Sequence, residues 1–351
     1  MKCGAPRLVR RRRRATVGDV ARRAGVSTAS VSLAMSGKPG VASATRERIV
    51  AAANELSWRP SIGARSLLSS RAFAVGLILT RDPELLGADP FFPSFIAGVE
   101  SVNLRHGYAL MLQVVPDDAT AADEAYRRAA LEGRIDGVFL TDLRRNDQRL
   151  RLVGELQLAA VAVGRPTEAT DMPVIAADDR VGIGQAVEHL VALGHRRIAF
   201  VGGPPDYVHS RSRLSAWRAA LRRVGVAPGP VIAADFTGSG GGRAMSRLLE
   251  LSDRPTAVVF ANDLMAVAAM SMAAQAGLDI PREISIVGFD DIPLAAHVNP
   301  PLTTVRQDAV GWGRAAAETL LAHIEGRELP VRALPPSKLV VRASSTAAPG
   351  D

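Results

Sequence analysis

Thr16-Val17-Gly18-Asp19-Val20-Ala21-Arg22-Arg23-Ala24-Gly25-Val26-Ser27-Thr28-Ala29-Ser30-Val31-Ser32-Leu33-Ala34 is the stretch that decides how this chain is read. Two short helical patterns, 17–23 and 27–35, flank a turn at Ala24-Gly25-Val26. A glycine at the centre of that turn accepts positive φ without a Cβ clash. Ser27 stands where a helix N-cap is wanted, because its hydroxyl can accept from an orphan backbone N–H. Val20, Ala21, Ala24, Val26 and Val31 can close a small apolar centre, leaving the polar side chains of the second segment facing outward. This is the pattern of a helix-turn-helix that reads duplex DNA. A third helical pattern covers 45–56, with Ile49, Val50, Ala53 and Leu56 expected on one face. Pro60 blocks its continuation. Residues 61–69 are small and only weakly amphipathic, a helix that is marginal alone. The expected order is a basic disordered tail over 1–14, a DNA-binding domain over 15–60 and a hinge over 61–71.

Charge supports that order. Residues 1–71 hold fifteen Lys and Arg against three acids, a net of +12, so the remaining 280 residues carry −4 of the chain's +8. A polyanion-binding head on an ordinary body has this asymmetry. Hydrophobic residues make up 47% of the chain, enough for sizeable cores. No apolar run approaches the ~20 residues of a membrane span. The basic N-terminus leads into no apolar segment, so a secretion signal is not expected and a cytoplasmic protein is. The single Cys3 offers neither an internal disulfide nor a zinc site.

From Phe73 the rhythm changes. Short apolar runs at 74–79, 109–114, 137–140, 160–163, 174–177, 198–201, 231–234, 257–260 and 284–288 alternate with helical patterns at 93–106, 121–132, 181–192, 210–224, 240–251 and 264–276. Near-continuous apolar strands between helices imply parallel sheets covered on both faces. There are too many strands for one comfortable sheet, so the expected class is α/β with two doubly wound lobes and a cleft at the strand C-termini. The late elements 303–305, 308–324 and 338–341 return to complete both lobes. The expected partition is 72–173 with 305–335, then 174–303 with 336–345, and a tail over 346–351.

Catalytic signatures are missing. No Gly-x-Gly-x-x-Gly, Walker A, His-Glu-x-x-His or Gly-x-Ser-x-Gly occurs. Gly238-Ser239-Gly240-Gly241-Gly242 lacks nucleotide-loop spacing and reads as a loop before a helix. His195, after Gly194, reads as a turn cap and not as a metal ligand. Neither an enzyme nor a bound cofactor or metal is expected.

Several motifs together resemble the lactose-repressor (LacI/GalR) family of bacterial transcription regulators. They are Thr16–Ala21 with Ala24–Ser27, Thr45-Arg46-Glu47-Arg48-Ile49, Glu55-Leu56-Ser57-Trp58-Arg59-Pro60, Asp89-Pro90-Phe91-Phe92, Gly194-His195-Arg196-Arg197-Ile198, Ala261-Asn262-Asp263, Val287-Gly288-Phe289-Asp290-Asp291 and Pro301-Leu302-Thr303-Thr304-Val305-Arg306-Gln307. The likeness runs from Thr16 to Ser345. It implies an all-α headpiece with a hinge helix, followed by a two-lobed core like that of periplasmic binding proteins.

The resemblance also implies roles. The second helix would enter the major groove, presenting Ser27, Thr28, Ala29, Ser32 and Leu33. Many relatives carry Arg where Leu33 stands, and Leu cannot make the bidentate guanine contact, so the preferred operator should differ. Thr16 and Ser30 would touch the DNA backbone, with capping as their alternative use. Ala64, Arg65 and Leu67 match the family's hinge helix, whose leucine wedges into the minor groove when two copies pair. In the cleft, Arg213 aligns with a ligand-clasping arginine, with Arg211 as its rival should the alignment shift. Asn262 and Asp290 align with side chains that bond ligand hydroxyls, and Phe236 and Phe92 could stack on an apolar ring face, with core packing the other use of Phe236. Asp89 would bond a hydroxyl or cap the next helix, and Arg165 is a further contact. The expected partners are double-stranded operator DNA, a sugar-like effector and a second copy of the chain, with no membrane. The rival readings are a sugar-binding transport protein, opposed by the basic head, and a sugar-processing enzyme, opposed by the lack of a nucleophile or metal constellation.

Overall fold

The computed structural model describes residues 15–35, 39–59, 69, 71–81, 87, 89–330 and 334–350. The chain forms two compact units, 1–73 and 74–351. The tail over 1–14 and the hinge residues Ala64, Arg65 and Leu67 lie outside the described residues.

In the first unit α1 (Val17–Ala24), α2 (Thr28–Met35) and α3 (Ser43–Glu55) enclose a small core. A capping box starts α1: the Thr16 hydroxyl accepts from the Asp19 N–H, and the Asp19 carboxylate accepts from the Thr16 N–H at 2.9 Å. Such a cap contributes about 1 kcal/mol. Gly25 ends α1 in the left-handed region at φ 66°. The Ser27 Oγ accepts from the Ser30 N–H at 3.1 Å and so caps α2. Val20, Ala21, Ala24, Val31, Ala34, Ile49, Ala52 and Ala53 form the core, with Val26 and Leu56 partly buried against it. Val50 does not join them and is 39% exposed. At 100° per residue, 49, 52, 53 and 56 share a face that 50 does not, so Ala52 takes the inward place.

The second unit is built on two sheets. The first has the order β2-β1-β3-β4-β5 and is parallel throughout. Its strands are β1 (Ala74–Thr80), β2 (Ala109–Val115), β3 (Gly137–Leu140), β4 (Ala159–Val163) and β5 (Val174–Ile175). The second has the order β11-β10-β9-β8-β6-β7, parallel except for β11. It comprises β6 (Ile198–Gly202), β7 (Val231–Ala233), β8 (Ala257–Phe260), β9 (Ser285–Asp290), β10 (Thr303–Arg306) and β11 (Lys338–Val340). Helices α4 (Phe91–His106), α5 (Ala119–Leu131) and α6 (Gln148–Glu155) belong to the first lobe. Helices α7 (Asp179–Ala192), α8 (Val208–Arg223), α9 (Gly238–Leu249) and α10 (Asp263–Gln275) belong to the second.

The late elements split between the lobes. Strands β10 and β11 extend the second sheet, whereas α11 (Ala309–Ile324) returns to pack on α4 and over β3 and β4. Gly98 and Gly313 allow that approach, since a Cβ on either would strike backbone of the facing helix. The lobes therefore exchange chain three times: after β5, after β10 and before β11. Strand β5 pairs with β4 and so belongs to the first lobe, and all of β10 pairs with β9 in the second, which corrects the boundaries expected at 173/174 and 303/305.

Three local expectations need correction. Helix α6 went unread, because its eight residues carry too little apolar periodicity over a short span. Gly238–Gly242 is not a loop but the opening of α9. Helix α9 packs against α10, and a Cβ at Gly241 would collide with Met265 backbone. Close packing, and not turn formation, requires glycine there. His195 is fully buried. Its ring bonds the Thr256 and Ser285 hydroxyls at 2.9 and 3.1 Å and the Thr346 carbonyl at 3.0 Å. It fastens the C-terminal segment to the second lobe.

Candidate effector cleft and DNA-reading helix

Of the positions singled out on the first unit, those described are all at least partly accessible. Thr16, Ser27, Thr28, Ala29 and Leu33 are exposed, and Ser30 and Ser32 are half-buried. Residues 28 and 32, and likewise 29 and 33, are four apart and so lie above one another, and the four together span an arc of about 140°. The hydroxyls of Ser27 and Ser30 lie 2.9 Å apart, and Thr16 donates to Asp19 at 2.8 Å. Thr16, Ser27 and Ser30 thus already take part in local capping.

In the second unit a cavity of about 440 Å³ opens between the lobes, within the size range of small-molecule sites. Strand and helix ends deliver its polar groups. Arg213 projects from the buried face of α8. Its Nε donates to Asp179 Oδ2 at 2.9 Å and its Nη1 to the Ala261 carbonyl at 2.7 Å, while its guanidinium lies 3.6 Å over the Phe289 ring. Arg211, two residues away and so about 200° round the helix, is exposed, which separates the two rivals. Asn262 caps α10: its Oδ1 accepts from the Met265 N–H at 3.0 Å, and its Nδ2 donates to the Phe236 carbonyl at 2.9 Å. Phe236 stands at φ 65°, an uncommon conformation for a ring-bearing residue. The ring rests against Gly203, where any Cβ would strike it, and stacks on His209 at 5.3 Å.

Asp290 ends β9 at φ 120° and accepts from Gln307 Nε2 at 2.5 Å. Burial raises its carboxyl well above the ordinary range, against the opposing pull of Arg213. Across the cleft, Arg81 follows β1. Its Nε and Nη2 donate to both Asp142 oxygens at 2.5 and 2.8 Å, and its Nη1 donates to Asp89 Oδ2 at 2.6 Å. Burial works to raise the Asp142 carboxyl, but Arg81 outweighs it and holds the group below its ordinary value. Asp89 serves twice, since its Oδ1 also accepts from the Phe91 N–H at 3.0 Å at the start of α4. Arg165 stands exposed at the rim. His209 lines the wall as a neutral ring, burial having depressed it to about 3 with help from Arg213.

Phe92 does not line the cavity. It is 1% exposed, packed beneath the Arg81 guanidinium at 4.7 Å, and the neighbouring Phe91 takes the wall position, edge-on to Trp312. Adjacent residues of a helix point about 100° apart, so only one of the pair can face the cleft. Arg81, Asp142, Asp179, His209 and Trp312 also line the cavity and belong to no quoted motif, and Gln307 lines it although no role was expected of it. At the mouth the lobes touch directly: the Val208 N–H donates to the Leu143 carbonyl at 2.9 Å, and Arg144 lies over the Tyr207 ring at 5.2 Å. Among the described residues no cluster of three His, Cys, Asp or Glu fits a metal ion, and no helix is long and apolar enough to cross a membrane.

Comparison with known proteins agrees with this division. Residues 16–61 match the model of bacterial regulatory proteins of the lacI family, and 187–345 match that of a periplasmic binding protein-like domain. The HTH-type transcriptional regulator CelR of Thermobifida fusca is 34% identical over 340 residues, spanning 95% of this chain and 99% of that protein. The HTH-type transcriptional repressor PurR of Aliivibrio salmonicida is 33% identical over 316 residues, 89% of this chain and 93% of its own. Among solved structures, a CelR–cellobiose complex aligns with TM-score 0.71 at 32% identity, covering 94% of this chain and all of that one. A lac repressor dimer bound to operator and the anti-inducer ONPF aligns with TM-score 0.82 at 29% identity, covering 95% and 100%. These named relatives are regulators, not enzymes. On likeness that spans both units, the chain belongs to the lacI family of bacterial regulatory proteins and is a DNA-binding transcriptional regulator.

Proposed function

We propose that this regulator represses a carbohydrate-utilisation operon in the cytoplasm, binding a pseudo-palindromic operator as a homodimer under the control of a sugar-like effector. The observation that carries the proposal is the convergence of Arg213, Asn262, Asp290 and Phe236 on one interlobe cavity, in a chain that also bears a helix-turn-helix. Carboxylates and amides can each serve two adjacent hydroxyls, a guanidinium offers a planar fork, and an aromatic ring covers the apolar face of a pyranose. The relative solved with cellobiose supports a saccharide, and the one solved as a dimer on its operator supports paired heads. Thr28, Ala29, Ser32 and Leu33, with Ser27 at the cap, are assigned to base edges, and Thr16 and Ser30 to the DNA backbone. Ala64, Arg65 and Leu67 are assigned to the minor groove. In the cleft Asp89, Arg165, Arg213, Phe236, Asn262 and Asp290 are assigned to the effector, with Phe91 replacing Phe92.

The effector would act by changing how the lobes stand to each other, and operator binding must change effector affinity by the same factor. A thermal-shift screen of sugars and sugar phosphates tests the site. A stabilising hit that is lost in both Arg213→Ala and Asp290→Ala supports it. A hit that survives both substitutions sinks it.

A further inference from the structure

If, as proposed above, the effector sits in this cleft, its charge can be deduced from the wall. We infer that the cleft selects an uncharged polyhydroxylated ligand against phosphorylated or carboxylated counterparts, and that Asp179 is the residue that enforces the choice. The motif positions say nothing of this, since Asp179 was not among them.

Four guanidinium groups line the cavity, those of Arg81, Arg165, Arg180 and Arg213. Three of them are already answered. Arg81 spends its three donor groups on Asp142 and Asp89. Arg180 is bidentate on Asp178, at 2.8 and 2.7 Å. Arg213 gives Nε to Asp179, which neutralises its charge, and Nη1 to a backbone carbonyl, with one face covered by Phe289, so that Nη2 is what it offers a ligand. The fourth, Arg165, stands exposed at the rim, where water screens it. Five aspartates, 89, 142, 178, 179 and 290, share the same wall.

A phosphate or carboxylate entering this space meets no buried guanidinium whose charge an aspartate has not already answered. It would have to displace an aspartate from a buried pair or lie against carboxylates in a partly desolvated site, and both cost free energy. A hydroxyl meets neither obstacle, because it donates to a carboxylate and accepts from an N–H. The Asp179–Arg213 pair is where the balance is closest to tipping. Both side chains are at most 10% exposed. The second oxygen of Asp179 is buried with no hydrogen-bond partner, so Arg213 alone answers that carboxylate. Replacing Asp179 with an isosteric amide leaves Arg213 without its paired carboxylate, with only a backbone carbonyl and the burial-raised carboxyl of Asp290 to answer it, which favours an anion.

The test is isothermal titration of the full-length protein with glucose, cellobiose, glucose 6-phosphate, glucuronate and cellobionate, checked by the fluorescence of Trp312 in the cavity wall. The expected wild-type result is binding of a neutral sugar with its charged partner at least tenfold weaker. In Asp179→Asn, with folding verified by circular dichroism, that ratio should fall at least tenfold or reverse. Asp142→Asn, which loosens Arg81, gives a second reading of the same kind should Asp179→Asn fail to fold. A charged sugar bound by wild type as tightly as its neutral partner overturns this inference while leaving a sugar effector in place. Binding of none of the five overturns it together with the saccharide reading.

Discussion

Arg81→Met should destabilise the second unit by about 3–5 kcal/mol at pH 7, the usual cost of removing one partner from a buried ion pair. Arg81 is 8% exposed, Asp142 10% and Asp89 18%, so the two stranded carboxylates gain little from water. The pH dependence is the sharper part. In the wild type Asp142 sits below its ordinary value because Arg81 outweighs burial. A depressed carboxyl contributes stability that is present above its unfolded pKa and lost as pH falls through the folded one. Without Arg81, burial acts with less opposition and the carboxyl rises, which reverses that sign. The deficit of the variant should therefore shrink between pH 7 and pH 5. Urea unfolding followed by tryptophan fluorescence reads it, since Trp312 lines the same cleft. With a slope of about 1–3 kcal/mol per molar urea, the midpoint should fall by roughly 1 M or more. The double change Arg81→Met with Asp142→Leu should recover part of the loss. A fall below about 0.3 M, or a deficit equal at both pH values, would refute the reasoning.

Other consequences are equally checkable. Gly241→Ala should cost about 1–3 kcal/mol by overpacking α9 against α10 backbone, measured as a lowered thermal midpoint. Arg213→Ala should weaken effector binding roughly ten- to a hundredfold, the worth of a charged hydrogen bond, whereas exposed Arg211→Ala should stay within about twofold by titration calorimetry. Burial pushes the Asp263 carboxyl up to about 7, against bonds from the Thr304 hydroxyl and the Ile292 N–H. A carboxyl raised on folding contributes stability that is full below its unfolded value and lost as pH rises through the folded one. The stability of wild type relative to Asp263→Asn should thus decline from about pH 4 to about pH 7 and level off above, and a flat difference in unfolding midpoint would contradict it.

The alternation of apolar runs with helical patterns made the two sheets legible, because parallel strands covered on both faces must be apolar along their length. The turn at Gly25 and the cap at Ser27 were legible for the same local reason, each answering a backbone need within three residues. What sequence order hid was pairing across distance. Arg81 meets Asp142 over 61 positions and Arg213 meets Asp179 over 34, and no period encodes either. The choice between Phe91 and Phe92 depended on a helix phase that adjacent identical residues do not reveal. His195 looked like a turn residue because its partners Thr256, Ser285 and Thr346 come from far along the chain.

The most direct test of a cleft-controlled DNA reader is fluorescence anisotropy of the full-length protein on a duplex selected by it from random sequence. It should be titrated over a range of salt, with and without the saccharide found by thermal shift. The account predicts tight binding that weakens steeply with salt, as phosphate contacts require, and at least a fivefold change in affinity on adding the saccharide. Selection that enriches no sequence, or a saccharide that binds the protein yet leaves duplex affinity unchanged, would contradict it.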